Sequence, residues 1–320
     1  MSILRSSVII GCNSIFKRLN QHQDFDSYVP TIWVVDIHTI SIKISRSENL
    51  PVLPVIVLNL LKLFADDNVS SQNLMDVIGQ DSGLTTKILR VASSPAYGTG
   101  HCENIARAIS LIGLTRMKQI AVSLAYQQIS HDKPLAPSFD KLTYWKHCKV
   151  TSMIAREIMI RVNRSKQEDA FVAGLIHDVG LLAMERFCPD AFEQAISLAS
   201  SKKLSLVEAE NQSCGFTHKQ VSEVLAKRWI LAPFIQDAIS NHDQPDKSSV
   251  DRDVCCCVAI ANTLSYELGF PPVPGIQASH KSEEFLPLLE LNSEVIAEIS
   301  EMVLIEHSDE PQLDNLESAA

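Results

Sequence analysis

Four histidines and one aspartate in the middle of the chain have the types and placement to do chemistry: His147, His177, Asp178, His218 and His242. Imidazole nitrogens beside a carboxylate suit iron, manganese, zinc or nickel, and two such ions could activate a water to attack a phosphoryl group. A single histidine on an apolar helical face is more often a core residue bonded to a carbonyl. Four on separate helices of one lobe are harder to explain that way.

The helix that would carry His177 and Asp178 is the clearest in the sequence. Ala170, Ala173, Gly174 and His177 fall at i, i+3, i+4 and i+7 of one stripe, with Phe171, Leu175 and Asp178 on the next. A helix apolar on nearly every side is buried. Two ionisable groups at its C-terminal end then need a metal, a ligand phosphate or another protein group beside them. The small residues Ala170, Ala173 and Gly174 would let neighbouring helices approach closely. His147 shares a face with Val150, Thr151, Ile154 and Ile158. Thr217 and Gln220 form a capping-box signature, which places His218 at the first helical position above Val221, Ser222, Leu225 and Trp229. Pro233 suits the start of a helix along which Ile235, Ala238, Ile239 and His242 run i, i+3, i+4, i+7. Asp190 to Leu206 reads as one amphipathic stretch. Val254, Cys257, Val258, Ala261, Asn262 and Ser265 line a helix ending near Gly269.

At 320 residues the chain can form one large domain or two smaller ones. A net charge of −10 with no long basic run argues against sequence-independent nucleic-acid binding. Eight cysteines, three of them consecutive at Cys255–Cys257, give neither a disulfide framework nor a CxxC zinc pattern. Reduced thiols and a cytoplasmic location are expected. No apolar run is long enough for a signal peptide or a membrane span.

Upstream, the β-branched stretch Thr31 to Ile44 suggests a strand pair or a poorly structured extension over residues 1–48. From Leu50 the pattern turns helical, with Ser70 or Ser71 as one N-cap, a glycine loop at Tyr97-Gly-Thr-Gly100 and Thr115 as a further N-cap after Gly113. The corner at Gly113 reads as an αα-corner in a bundle rather than a DNA-binding helix-turn-helix, because the second helix offers only Arg116 and Lys118 as cations. His131 to Pro137 is a proline-punctuated linker between two lobes, and Pro271 to Pro274 is another. Val295 to Val303 suggests a last helix, with a disordered acidic tail from Glu306.

Tyr144-Trp-Lys-His147, Ala173-Gly-Leu-Ile-His-Asp-Val-Gly180 and Asn241-His242 resemble the HD superfamily of metal-dependent phosphohydrolases. Leu50-Pro-Val-Leu-Pro54, Gln80 to Arg90, Ser94 to Gly98 and Ala108 to Met117 resemble its non-standard branch, the HDOD domain. The resemblance implies an all-α fold, a multi-helical HD-like bundle. It would span an HDOD domain at 49–270, with an N-terminal helical lobe at 49–130 and an HD-like lobe at 138–270, between the 1–48 extension and a C-terminal region at 271–320. It also implies bacterial signal transduction or regulation, often near cyclic-dinucleotide pathways, by a protein that binds a signalling partner protein or a nucleotide without turnover. The alternative it leaves is a metal-dependent phosphodiesterase acting on a cyclic dinucleotide or nucleotide.

Carried over by position, His147, His177 and Asp178 match the first metal ligands of HD enzymes, and His218 and His242 match the extra histidines of the cyclic-di-GMP phosphodiesterase branch. The closing aspartate aligns with Asn262, whose amide brings no negative charge to a divalent ion (iron, manganese, zinc or nickel). Leu181 stands where active phosphodiesterases carry a lysine, and Asp243 where they carry a second histidine. These departures imply a degenerate site lacking a general acid or phosphate clamp.

Overall fold

A computed structural model describes residues 36–47, 52–64, 66, 68–95, 97 and 101–309, and the description below concerns these. They form fifteen α-helices and no strand; a single bridge joins Ser205 to Gln277. Helices α1 (Ile37–Arg46), α2 (Val55–Phe64), α3 (Ser71–Ile78), α4 (Ser82–Ala92), α5 (Ile105–Ile112) and α6 (Leu114–Gln127) precede the linker. After it come α7 (Lys141–Asn163), α8 (Gln167–Ile176), α9 (Val179–Phe187), α10 (Pro189–Lys202), α11 (Leu206–Ser213), α12 (His218–Trp229), α13 (Pro233–Asn241), α14 (Arg252–Glu267) and α15 (Ser293–Asp309). No single helix among the described residues is long and apolar enough to cross a membrane.

The site is positioned in large part by α7, whose packing on α8 and on α14 is the most extensive among the described helices. Close packing of α8 on α7 depends on Gly174: a Cβ there would stand 3.0 Å from Ser152 Cα and 3.1 Å from the Thr151 carbonyl. One apolar core runs through α1 to α6 and on through α8 to α13, and a second fills the space between α7, α14 and α15. The His131–Pro137 linker is packed, not free. Ala136 within it and Phe139 just beyond it are buried, with the Phe139 ring edge-on to Phe192 at 5.2 Å.

Several local expectations are corrected. The strand pair expected over Thr31 to Ile44 is, where described, the helix α1, whose Ile40 and Ile44 enter the core against α9 and α12. Residues 31–35 lie outside the described residues, as do Gly98 to Gly100 of the expected loop and the tail beyond Asp309. Tertiary packing of an i, i+4 isoleucine pair overrides the strand preference of Ile and Thr. Thr115 does not cap α6; the helix starts at Leu114 after Gly113, whose φ of +88° makes the turn. The stretch from Asp190 to Leu206 is two helices, interrupted at Lys203 (φ +54°) and restarted by a Ser205/Glu208 capping box. The helix α15 continues to Asp309, through the first residues of the expected disordered tail. At the Gly113 corner the axis bends by 119°, and Lys118 turns inward, 2.5 Å from Glu168 and over the Phe64 ring. That disposition fits the αα-corner.

Ile230 ends α12 in the left-handed region (φ +54°, ψ +46°) and is 87% exposed. A β-branched residue is strained there and gains no burial in return. Ile230→Gly is expected to stabilise the fold by about 0.5–1 kcal/mol, read as a higher urea midpoint at unchanged slope. A lower midpoint would contradict the strain.

Candidate metal centre

Each of the five residues is placed by a helix end or a core stripe. His147 lies two turns into α7. His177 and Asp178 occupy the break between α8 and α9, with Asp178 at the N-cap of α9. His218 is the first residue of α12, set by the Thr217/Gln220 capping box, and His242 is the C-cap of α13. All are buried, with His147 and His177 at 0% exposure and Asp178 at 3%.

The imidazole Nε2 atoms converge on the Asp178 carboxylate. His147 Nε2 is 3.3 Å from His177 Nε2, and these stand 3.6 and 3.2 Å from Asp178 Oδ2. On the other oxygen, His218 Nε2 is 3.4 Å and His242 Nε2 3.5 Å from Asp178 Oδ1. Two triads thus share one carboxylate: His147, His177 and Asp178 on one side, Asp178, His218 and His242 on the other. Two ligand atoms bound to one ion at about 2.1 Å with a tetrahedral angle stand about 3.4 Å apart, so both triads have ligand spacing.

The far side of every ring is occupied by an acceptor. His147 Nδ1 is 2.7 Å from the Phe270 carbonyl and His177 Nδ1 2.8 Å from the Gly174 carbonyl. His242 Nδ1 is 3.2 Å from the carbonyls of Ala238 and Ile239, and His218 Nδ1 lies 2.8 and 2.9 Å from the Glu210 carboxylate oxygens. Carbonyls and carboxylates only accept, so each Nδ1 donates its proton and each ring turns its Nε2 inward, where it would offer a lone pair to a bound metal. Lone pairs of His147 and His177 facing each other at 3.3 Å repel unless a cation lies between them.

The electrostatics agree. Burial, then the neighbouring His177, pushes His242 down to about 4, and burial also lowers His147. Burial alone would raise the Asp178 carboxyl, but His177 and the imidazoles of His147 and His218 hold it well below the usual range. Burial would lower His218 too, yet the Glu210 charge and the bonds to Asp178 and Glu210 raise it to about 10. Without metal, a proton on His218 does the work of a cation between two carboxylates.

Stability without metal should therefore peak near neutral pH. Below the ordinary 6.5 the unfolded chain takes up protons that folded His242 and His147 refuse, so stability falls from 6.5 toward about 4. Above 6.5 folded His218 keeps a proton that the unfolded chain releases, so that contribution is lost as pH rises toward about 10. Each such proton gives a slope of up to ~1.4 kcal/mol per pH unit. Urea unfolding with chelator at about pH 5, 7 and 9 measures this, and a flat profile would contradict it.

Asn262, expected to close the ligand set, lines the same small cavity as Asp178, and its Oδ1 is buried without a hydrogen-bond partner. An unpartnered buried amide oxygen facing a metal-ligand cavity fits a cation. Asp178 Oδ1 faces the Nε2 atoms of His218 and His242 at 3.4 and 3.5 Å. The fit therefore rests on the orphan Asn262 oxygen, four Nε2 atoms turned inward and ligand spacing. Leu181 is core, and Asp243 lines the cavity.

Residues 50–245 match the HDOD domain. The chain belongs to the HDOD domain family. An HDOD domain protein of unknown function from Geobacter sulfurreducens has a similar structure, with a TM-score of 0.67 and 26% identity over 83% of this chain and 96% of that one. A proposed signal transduction protein from Marinobacter aquaeolei VT8 shares the fold at a TM-score of 0.66 and 20% identity, over 92% of this chain and 62% of that one. An uncharacterized protein of Treponema pallidum (strain Nichols) is 20% identical over 254 residues, 77% of this chain and 49% of that protein. The chain spans about half the length of that curated relative.

Two residues of this HDOD site escaped the sequence reading. Glu210 is fully buried and binds both the ring and the backbone N–H of His218 (3.0 Å). The signal was available: Leu206, Ala209 and Glu210 fall on one stripe of α11, a carboxylate among apolar neighbours. Lys219, in the cavity wall beside His218, pairs with Asp243. Glu210→Gln keeps the shape but removes the charge behind His218; metal affinity should drop roughly 10–100-fold. Titration with manganese measures it, and an unchanged affinity would separate Glu210 from the centre.

Proposed function

We propose that this HDOD protein is a bacterial regulatory protein that holds divalent metal with His147, His177, Asp178, His218 and His242 and acts by binding a signalling partner, without turnover. The observation that carries the reading is the set of four rings, each fixed at Nδ1 so that Nε2 faces the one shared carboxylate. A bound divalent ion supplies Lewis acidity to an oxygen beside it. The residues around it supply little else that hydrolysis needs. Asn262 brings no charge, and Lys219 is held by Asp243.

Size favours the same reading. The cavity over the cluster holds about 40 Å³, whereas sites that enclose a small organic ligand run to about 300 Å³ or more. It is walled by Gln277 to His280 and Phe285, which follow α14. The Marinobacter neighbour, itself a proposed signal transduction protein, supports the regulatory side. The seven cysteines among the described residues are free, as a reducing cytoplasm would keep them. Burial raises the thiols of Cys255 to Cys257, so they act as core and not as nucleophiles.

The experiment is metal analysis of protein purified with manganese or iron, followed by assay against cyclic dinucleotides and a phosphate monoester. Bound metal with no turnover is expected. Turnover abolished by His177→Ala would replace this reading with a phosphohydrolase.

A further inference from the structure

Lys219 and Asp243 line the cavity above the metal-ligand cluster from two different helix ends. Lys219 is the second residue of α12, directly after His218, and Asp243 follows His242 past the end of α13. Their side chains are only 13% and 15% exposed, and they form an ion pair. A lysine this withdrawn from water needs a counter-charge, and Asp243 supplies it.

The same cavity is lined by Asn262, Tyr266, Ser279 and His280, and its volume of about 40 Å³ is ample for a few waters or one small anion. A carboxylate on a lysine, at the wall of a cavity whose floor is built for metal, occupies the place that an oxyanion would take. We propose that Lys219 is the anion-binding side chain of this cavity, and that Asp243 is a built-in competitor which holds it against a small oxyanion such as inorganic phosphate. The proposal deepens the metal reading and rests on it, because an ion beneath the cavity adds to the field that draws the anion in.

The arrangement explains why a site with most of its ligands in place would be silent. The cation of this cavity stands beside His218, but Asp243 already satisfies it. An incoming oxyanion must displace a tethered carboxylate that is always present. Removing the charge of Asp243, and leaving its shape, should release Lys219.

Metal content is measured first on each protein, which decides the metal reading separately. Inorganic phosphate is then titrated calorimetrically into wild type, Asp243→Asn, Lys219→Met and the double variant, each with and without manganese. Asp243→Asn is expected to bind phosphate at least tenfold tighter than wild type, Lys219→Met to lose binding, and the double variant to show no gain. Asp243→Ser serves if the asparagine variant does not fold, and Lys219→Arg should retain binding. Equal phosphate affinity in wild type and Asp243→Asn, or a gain that survives Lys219→Met, would overturn the proposal even where metal is bound.

Discussion

Asp178→Ala is expected to abolish metal uptake at both triads and to weaken the metal-free fold. Its carboxylate is the one group common to the two sets, and it is the only negative charge among the five residues. Four neutral imidazoles split into two pairs hold a divalent ion poorly without it. Affinity should fall on the order of 100-fold or more, beyond the 10–100-fold typical of losing a group behind a ligand. The metal-free protein suffers as well: buried His218 keeps Glu210 but loses the acceptor facing its Nε2. Breaking a buried charge network from one side costs about 3 kcal/mol or more. Asp178→Asn separates the two effects, since it retains shape and an acceptor but not the charge. It should recover much of the stability and little of the metal, as measured by urea unfolding and metal analysis of the same samples. Retention of metal in both variants would remove Asp178 from the centre.

Gly180→Ala should be the most damaging change at a residue that is not itself a ligand. A Cβ at Gly180 would overlap the His218 carbonyl and the Ser222 hydroxyl, and the Gly180 N–H donates to that hydroxyl at 2.8 Å. The obstacle is backbone at the start of α12, so no side chain can swing away. The first turn of α12 has to move outward, carrying His218 from Asp178. Overpacking of this kind costs about 3 kcal/mol. The second triad should then lose metal while the first, which depends on α7 and α8, keeps it. A half-loaded, destabilised protein is the expected result. Full loading at wild-type stability would show that the glycine sets nothing.

The site was legible where chemistry interrupted a pattern. His177 and Asp178 close an apolar helix, His218 follows a capping box, and His242 ends an i, i+3, i+4, i+7 stripe, so burial and approximate orientation followed from periodicity. What periodicity does not carry is which helix faces which. The ion pair of Lys219 with Asp243 joins residues that are 24 apart, and the Phe270 carbonyl behind His147 comes from just past the C-terminal end of α14. Neither can be read from spacing. Glu210 could have been found from its stripe in α11, but a helix of eight residues gives a weak periodic signal.

The N-terminal error has a different origin. Ile40, Ile42 and Ile44 alternate as a strand would, yet Ile40 and Ile44 also sit four apart, and contact with α9 and α12 selects the helix. Lys43 then bonds the Phe187 carbonyl at 3.0 Å, tying α1 to the end of α9. The wall of the cavity from Gln277 to Phe285 had no motif at all. It was missed because a loop that covers a site is defined by what it covers.

Anomalous diffraction at the manganese edge, from crystals of protein reconstituted with manganese, tests the central assignment most directly. One peak is expected within bonding distance of His147 Nε2, His177 Nε2 and Asp178 Oδ2, and a second among Asp178 Oδ1, His218 Nε2 and His242 Nε2. Crystals soaked to saturation that show no anomalous density between these side chains would contradict it.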